Sequence, residues 1–324
     1  MEGYKPQDFS FFHRSEKLVQ HKERMEKFSV LMSVYYKEKS EYFDLALESN
    51  LIKQTLLPNE FVLVCDGELT PDLEAVIEKY RKLYPNVLKV YRKENGGLGK
   101  ALNFGLQFCT YDIIARSDSD DICIPTRFEK QIAFMSENNE YSIISSWVNE
   151  FISVPGDYDK ARVLPENHEK IYKYAKSRCP VNHPSVVFRK NDVLNVGGYQ
   201  TDLFPEDYFL WIKMLKNGCK FYNMQESLVW FRFSPETYRR RGGIKYAKDE
   251  IKIQIKIYKM GFISFPILVM NLITHTTIRI LPNWLRCWIY MNILRKRIHK
   301  VTPFYRKIIE TNRLTTGPKN SSEF

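Results

Sequence analysis

The sequence predicts an α/β fold: a mostly parallel, Rossmann-like sheet flanked by helices, followed by a helical C-terminal extension. Three observations predict it. Between residues 27 and 122, short apolar runs alternate with helix-like segments, the rhythm of a parallel sheet with crossover helices on both faces. The chain has 324 residues, 44% hydrophobic and 27% charged, enough for a large globular core. Polar or aromatic residues also follow each strand-like run: Tyr35, Asp66, Asn95 and the cluster Asp118, Asp120 and Asp121. In such sheets ligands bind beyond the carboxyl ends of the strands.

The elements follow in order. Lys27 to Tyr35 is a short apolar run that reads as a central strand. Glu41 to Gln54 is a helix stopped by Leu56-Leu57-Pro58, and Glu60 to Cys65 is a second buried strand closed by Asp66-Gly67. Pro71 to Tyr84 is a helix with proline in its first turn. Val87 to Tyr91, Gly99 to Phe108 and Asp112 to Ala115 complete the rhythm as strand, helix and strand. The second half is less regular. Ser142–Trp147, Ser185–Phe188, Phe221–Tyr222 and Leu228–Phe233 read as strands, and Tyr208–Asn217 as a helix closed by Gly218. Ile251–Ile257 alternates like a strand, but its neighbours and Gly261 favour a helix. Phe262–Ile280 is the most apolar window; Pro266, Asn271, His275 and Arg279 interrupt it, which favours a surface-lying segment over a membrane-spanning one. A buried helix of the globular fold is the competing reading.

The formal net charge is +11, which leaves nucleic acid, an anionic membrane and a polyanionic substrate open as partners. Basic residues gather from Arg279 onward (Arg286, Arg295, Lys296, Arg297, Lys300, Arg306, Lys307) among Trp284, Trp288, Tyr290 and Leu294. This mixture suits a membrane headgroup region; a basic helix packed on the core is the alternative. The six cysteines form no CxxC pair, against a zinc ribbon or disulfide scaffold and compatible with a reducing cytoplasm. Four regions result: a polar extension over 1–26, an α/β domain over 27–240 with its halves meeting near 122, a helical basic and apolar, membrane-associating region over 241–310, and a disordered tail over 311–324.

Four constellations carry chemistry. Asp118, Asp120 and Asp121 crowd like charges at the end of a strand, a set that suits Mg²⁺ or Mn²⁺ with a phosphorylated ligand; a solvated acidic turn is the plain alternative. Tyr35 with Asp66 can hold a flat ring by stacking and edge recognition. Glu94 to Asn103 places glycines and Lys100 before a helix N-terminus, where backbone N–H groups favour an anion. Glu206-Asp207 precedes an apolar helix; it reads either as a helix-dipole pair or as a general base at a pocket wall. His183 and Arg232 flank strands, and alone each reads as structural.

In this order the pieces SVYYKE (33–38), LVCDG (63–67), ENGGLGKALNFG (94–105), ARSDSDDI (115–122), HPSVVFRK (183–190), GGY (197–199) and PEDYFLW (205–211) resemble glycosyltransferase family 2, inverting enzymes with the GT-A fold. The match runs from Phe28 to Phe233 and looks most like bacterial transferases of exopolysaccharide, capsule or O-antigen assembly. The resemblance implies a UDP-sugar donor, a lipid-diphosphate-linked glycan acceptor and Mn²⁺ or Mg²⁺. It assigns Tyr35 and Asp66 to the uracil and the Asn95–Lys100 segment, Gly97 included, to the nucleotide border. Ser33, Asn103 and Arg116 join the nucleotide-sugar site, with Asp118 near the ribose and His183 and Arg232 beside the sugar or diphosphate. Asp120, with Asp118, would bind the metal, supported by Asp121; Asp207 would be the catalytic base with Glu206 beside it. The protein would then sit on the cytoplasmic face of the cell membrane as a peripheral protein.

The chain departs from the family pattern in places. Cys65-Asp66 replaces the usual double Asp, Ser33 the usual Pro, and Ser234 a His that often serves the metal. The QxxRW motif of processive synthases is absent, its nearest counterpart being Tyr238-Arg-Arg-Arg-Gly-Gly243, so transfer of one sugar per encounter is expected. Two rivals are a sugar nucleotidyltransferase and a basic nucleic-acid-binding module. The first needs a glycine-bearing triphosphate loop after the first strand, and 33–39 has no glycine. The second sits badly with the acidic cluster.

Overall fold

The computed structural model describes residues 25–202, 205–233, 243–292 and 295–297. The N-terminal extension up to residue 24, the tail over 311–324, Ser234, Tyr238 to Gly242 and the basic residues Lys300, Arg306 and Lys307 lie outside the described residues.

The first half follows the expected rhythm. Its strands are β1 (Phe28–Val34), β2 (Glu60–Asp66), β3 (Leu88–Lys93) and β4 (Ile113–Ser117). Between them lie helices α1 (Ser40–Leu51), α2 (Pro71–Leu83) and α3 (Leu98–Leu106). These four strands pair in parallel in the order β3-β2-β1-β4. All seven residues of β2 are buried, as expected for a strand covered on both faces. Alternation sorts the side chains: Leu31, Val62 and Val64 face one core, while Val30, Met32, Phe61 and Leu63 face the other. The second core is closed by Phe43 and Leu47 of α1 and Leu73 of α2.

The second half widens the sheet with β5 (Ile122–Cys123), β6 (Tyr141–Phe151), β7 (Lys160–Arg162), β8 (Val187–Arg189), β9 (Lys220–Arg232) and β10 (Lys296–Arg297). Its helices are α4 (Arg127–Glu137), α5 (His168–Ala175), α6 (Lys190–Asn195), α7 (Glu206–Lys216), α8 (Ile244–Lys259), α9 (Phe265–Ile280) and α10 (Asn283–Asn292). β8 joins β4 antiparallel, and β6 joins β8 antiparallel. The segments 221–222 and 228–233, expected as two strands, are one. β9 pairs with β6 in parallel throughout, and the pairing slips so that Met224 and Ser227 face adjacent residues of β6. This bulge hides the continuity from the hydrophobic pattern. Helix α4 escapes pattern reading because its buried face includes Arg127 and Gln131.

The C-terminal helices answer the two open readings. Ile251–Ile257 lies in α8, whose Ile253 and Ile257 join the core. α9 buries Leu268 and Asn271 on one side only. Among the described residues no helix is long and apolar enough to cross a membrane. Three arginines expected at a membrane surface turn inward instead. Arg279 pairs with Glu250 at 3.5 Å, Arg295 with Glu150 at 2.5 Å, and the buried Arg286 donates to the Arg279 carbonyl at 3.0 Å. Burial makes a protein partner for each charge obligatory.

Candidate active site

Parallel pairing brings the carboxyl ends of β1 to β4 to one edge of the sheet, and the loops leaving them form the site. Ser33 lies half-buried in β1, in register with Val64, and Tyr35 follows half-buried at the strand end. Tyr35 meets Tyr36 edge-on with ring centroids 5.8 Å apart. At the end of β2, Asp66 holds the glycine loop. Its Oδ1 accepts from Lys93 Nζ at 2.7 Å and Gly96 N at 2.9 Å, and its Oδ2 from Gly97 N at 2.8 Å. The Asn95 amide donates to the Asp66 carbonyl at 2.8 Å. Asp66 therefore shapes the loop; one acceptor direction on Oδ2 remains for a ring N–H. Lys100, in the first turn of α3, is exposed.

The acidic cluster follows β4 directly. Asp118, Asp120 and Asp121 each place a carboxylate oxygen within 4.8 Å of the others. Burial, then the charges of Asp118 and Glu38, pushes the Asp120 carboxyl up to about 7. Burial, then Asp120, raises Asp121 as well. The buried Asp121 Oδ2 has no hydrogen-bond partner. Converging carboxylates with an orphaned oxygen fit a hard divalent cation, and Asp120, Asp118 and Asp121 are the residues that would hold it.

Arginines frame this cluster. Arg116, expected to reach the nucleotide-sugar, instead forks onto Asp118, and it is 1% exposed. β4 points it into the interior, so it positions Asp118. The buried Arg127 donates to the Arg116 carbonyl at 2.6 Å, to Ser117 Oγ at 2.9 Å and to Cys123 Sγ at 2.9 Å. Arg232, at the end of β9, crosses 112 positions of chain to reach the cluster. Its backbone N donates to Asp121 Oδ1 at 2.7 Å and its Nε to the Asp120 carbonyl at 3.0 Å. Its guanidinium stacks 3.7 Å from the Tyr42 ring centroid, and its two terminal nitrogens have no acceptor among the described residues. Such unpaired donors beside a cation site suit a diphosphate.

The opposite wall is the start of α7. Asp207 Oδ1 accepts from Tyr208 N at 2.8 Å, and its Oδ2 faces the Cys179 thiol at 3.6 Å. Burial, then Asp207, pushes that thiol up to about 12, which keeps it a donor. Arg162 holds the Cys179 carbonyl at 2.8 Å and its charge reaches Asp207. Burial, then Asp207, raises Glu206 to about 7. His183 is buried, with Nε2 3.0 Å from the Tyr199 hydroxyl and its ring edge-on to Trp211. Burial, then the Arg116 charge, holds it well below its usual value. His183, expected beside the sugar or diphosphate, is thus a member of an aromatic cluster with Tyr199 and Trp211.

Asn103 is corrected in the same way. Its Nδ2 donates to the Tyr199 carbonyl at 2.9 Å and its Oδ1 accepts from Tyr199 N at 2.8 Å. The clamp requires glycine next door: Gly198 has φ +65°, and a Cβ there would sit 2.5 Å from Asn103 Oδ1. A second close contact joins the walls, since a Cβ on Gly99 would lie 2.6 Å from the Gln200 carbonyl and 3.3 Å from Glu206 Cβ. Tyr199 and Glu206 both sense the charges of Arg116 and Asp118. The glycine loop, the acidic cluster and the acidic pair are therefore neighbours at one edge of the sheet. Sequence reasoning missed Arg127, Cys179, Arg162 and Glu38, which accepts from Ser119 Oγ at 2.7 Å. Only Glu38 carried a signal, lying inside SVYYKE.

A model of the family described as glycosyl transferase family 2 matches residues 29–197. A UDP-Gal:alpha-D-GlcNAc-diphosphoundecaprenol beta-1,3-galactosyltransferase of Escherichia coli is 44% identical over 270 residues, 83% of this chain and 97% of that protein. The chain belongs to glycosyl transferase family 2. It is a glycosyltransferase, and solved structures of other glycosyltransferases share its GT-A fold. Residues 1-349 of S. aureus TarS, in complex with UDP-GlcNAc, superpose with TM-score 0.57 at 21% identity, covering 78% of this chain and 73% of that fragment. The mannosyltransferase PcManGT of Pyrobaculum calidifontis, in complex with GDP-Man and Mn²⁺, gives 0.56 at 13% identity over 94% of this chain and 89% of that one. Family membership sets aside the nucleotidyltransferase reading of this glycosyltransferase.

Proposed function

We propose that this glycosyltransferase moves one hexose or N-acetylhexosamine from a UDP-sugar to a lipid-diphosphate-linked saccharide, inverting the anomeric carbon, during surface polysaccharide assembly. The observation that carries the reading is one neighbourhood that joins the Asp118–Asp121 cluster to the Glu206-Asp207 pair, where the charges of Asp207 and Asp118 act on Glu206 and Arg232 offers unpaired donors beside Asp120. Donor and acceptor classes are supported by the Escherichia coli relative, whose name states both.

The uracil stacks on Tyr35, with its ring N–H on Asp66 Oδ2. Asn95, Gly97 and Lys100 border the nucleotide. Arg232 binds the diphosphate through its two terminal nitrogens. A divalent cation, Mn²⁺ or Mg²⁺, bound by Asp120 with Asp118 and Asp121 would neutralise charge on the leaving diphosphate. Asp207 removes the proton from the acceptor hydroxyl as that oxygen attacks. The Cys179 thiol, donating to Oδ2, orients the Asp207 carboxylate, and Arg162 holds Cys179 in place. Base and leaving group lie on opposite faces of the sugar, so configuration inverts. The test is a UDP-release screen over UDP-sugars with a GlcNAc-diphosphoryl lipid and added Mn²⁺ or Mg²⁺, with the product anomer read by NMR. Turnover with GDP-sugars alone, or a retained anomer, would refute the proposal.

A further inference from the structure

The outer face of α9 and α10 is apolar, exposed and unusually charged in its surroundings. Phe265 (62% exposed), Val269 (38%) and Ile273 (63%) recur every four residues along α9, and Ile280 (66%), Trp284 (72%) and Trp288 (54%) continue the series. That spacing puts the α9 residues on one helical face, opposite the buried Leu268 and Asn271. Large exposed apolar patches mark interaction sites. From 251 to 309 the chain has no Asp or Glu and eleven Lys or Arg. The whole chain has 49 basic and 38 acidic residues, so this segment holds the excess of +11; Arg279, Arg286 and Arg295 of the eleven turn inward, and the other eight remain to supply positive charge.

We infer that this face docks on an anionic lipid bilayer, with α9 lying in the plane of the interface. Four features favour lipid over a protein partner. The segment has no negative group for an anionic surface to repel. Its two exposed tryptophans suit the headgroup level. α9 has 16 residues, about 24 Å of helix, too short to cross a hydrocarbon core of about 30 Å. The inner side of α9 is polar and tied to the protein: Asn271 Nδ2 donates to the Lys176 carbonyl at 2.8 Å and to Gln254 Oε1 at 2.9 Å, and His275 Nδ1 lies 2.8 Å from Glu250. Lys176 is three positions before Cys179, whose thiol contacts Asp207. The interfacial helix is thereby joined to the wall that carries the proposed base. The docking surface itself does not depend on the identity of donor or acceptor.

The test uses the full chain and vesicles that contain no glycan lipid. The protein is floated with vesicles of phosphatidylcholine alone and of phosphatidylcholine mixed with phosphatidylglycerol, at low and high salt. The wild type should float with the mixed vesicles, less so at high salt, and lipids brominated on their acyl chains should quench its tryptophan fluorescence. Ile273→Asn combined with Trp284→Ser should lower partitioning about tenfold or more while leaving the melting temperature unchanged, because both residues are exposed. The inference is overturned if the wild type stays in the aqueous fraction without quenching, or if the double variant binds as tightly. It is equally overturned if Ile273→Asn instead abolishes a concentration-dependent dimer in a protein that ignores vesicles.

Discussion

Asn103 lies inside a motif that suggests nucleotide binding, yet its amide clamps the Tyr199 backbone. Replacing it with alanine separates the two assignments. Asn103→Ala removes hydrogen bonds of 2.9 and 2.8 Å and leaves the N–H and C=O of Tyr199 without partners. A lost bond with an orphaned polar group costs about 1–3 kcal/mol, and Tyr199 is 2% exposed, so water replaces the clamp poorly. The two bonds share one side chain, which keeps the expected loss near about 2–3 kcal/mol rather than twice the single-bond figure. For a domain of this size that corresponds to a fall in melting temperature of about 4–12 °C. The assay is thermal and urea unfolding alongside UDP titration calorimetry. UDP affinity should stay within about twofold, the scale on which a removed direct contact would stand out. Unchanged stability with UDP affinity down about tenfold would refute the clamp and return Asn103 to the nucleotide.

Other outcomes test the remaining assignments. Asp207→Asn should lower transfer by about 10²–10⁴, the usual contribution of a general base, with UDP affinity retained in calorimetry. Asp120→Asn should abolish stimulation by added Mn²⁺ and the binding of Mn²⁺ in the presence of UDP, read by electron paramagnetic resonance. Glu206, raised from 4.5 to about 7, keeps its proton longer folded than unfolded. Wild-type stability should therefore fall as pH rises through that window, and Glu206→Gln should make the dependence in urea midpoints shallower, leaving the part that the raised Asp120 and Asp121 contribute. Arg127→Leu should destabilise the domain by about 3 kcal/mol or more, because it strips donors from buried acceptors around β4, and should weaken metal binding with it.

Legibility varied with the kind of signal. The first half was readable because β1 and β2 are buried on both faces, so their apolar runs are continuous, and Pro71 and Asp66-Gly67 punctuate them. Asp118, Asp120 and Asp121 stood out for the same local reason: three like charges cannot gather at a strand end without consequence. β9 was split in two because its bulge breaks the alternation. Helix α4 was missed because Arg127 sits in a position patterns reserve for apolar residues. His183, Arg116 and Asn103 were identified as important, but the direction each side chain takes is a property of packing.

The order of strands and helices over residues 27–122, the family motifs and the acidic cluster belong to the sequence alone, since they depend on periodicity and on residues that are neighbours in the chain. The tertiary structure decided which of those residues face the site. It brought Arg232 across 112 positions to Asp120 and placed Cys179 against Asp207 over 28. It turned Arg279, Arg286 and Arg295 inward while leaving Trp284 and Trp288 outside. The reason is physical. A buried charge must find a partner wherever the fold provides one, and that partner's distance along the chain is set by topology, which no local pattern encodes.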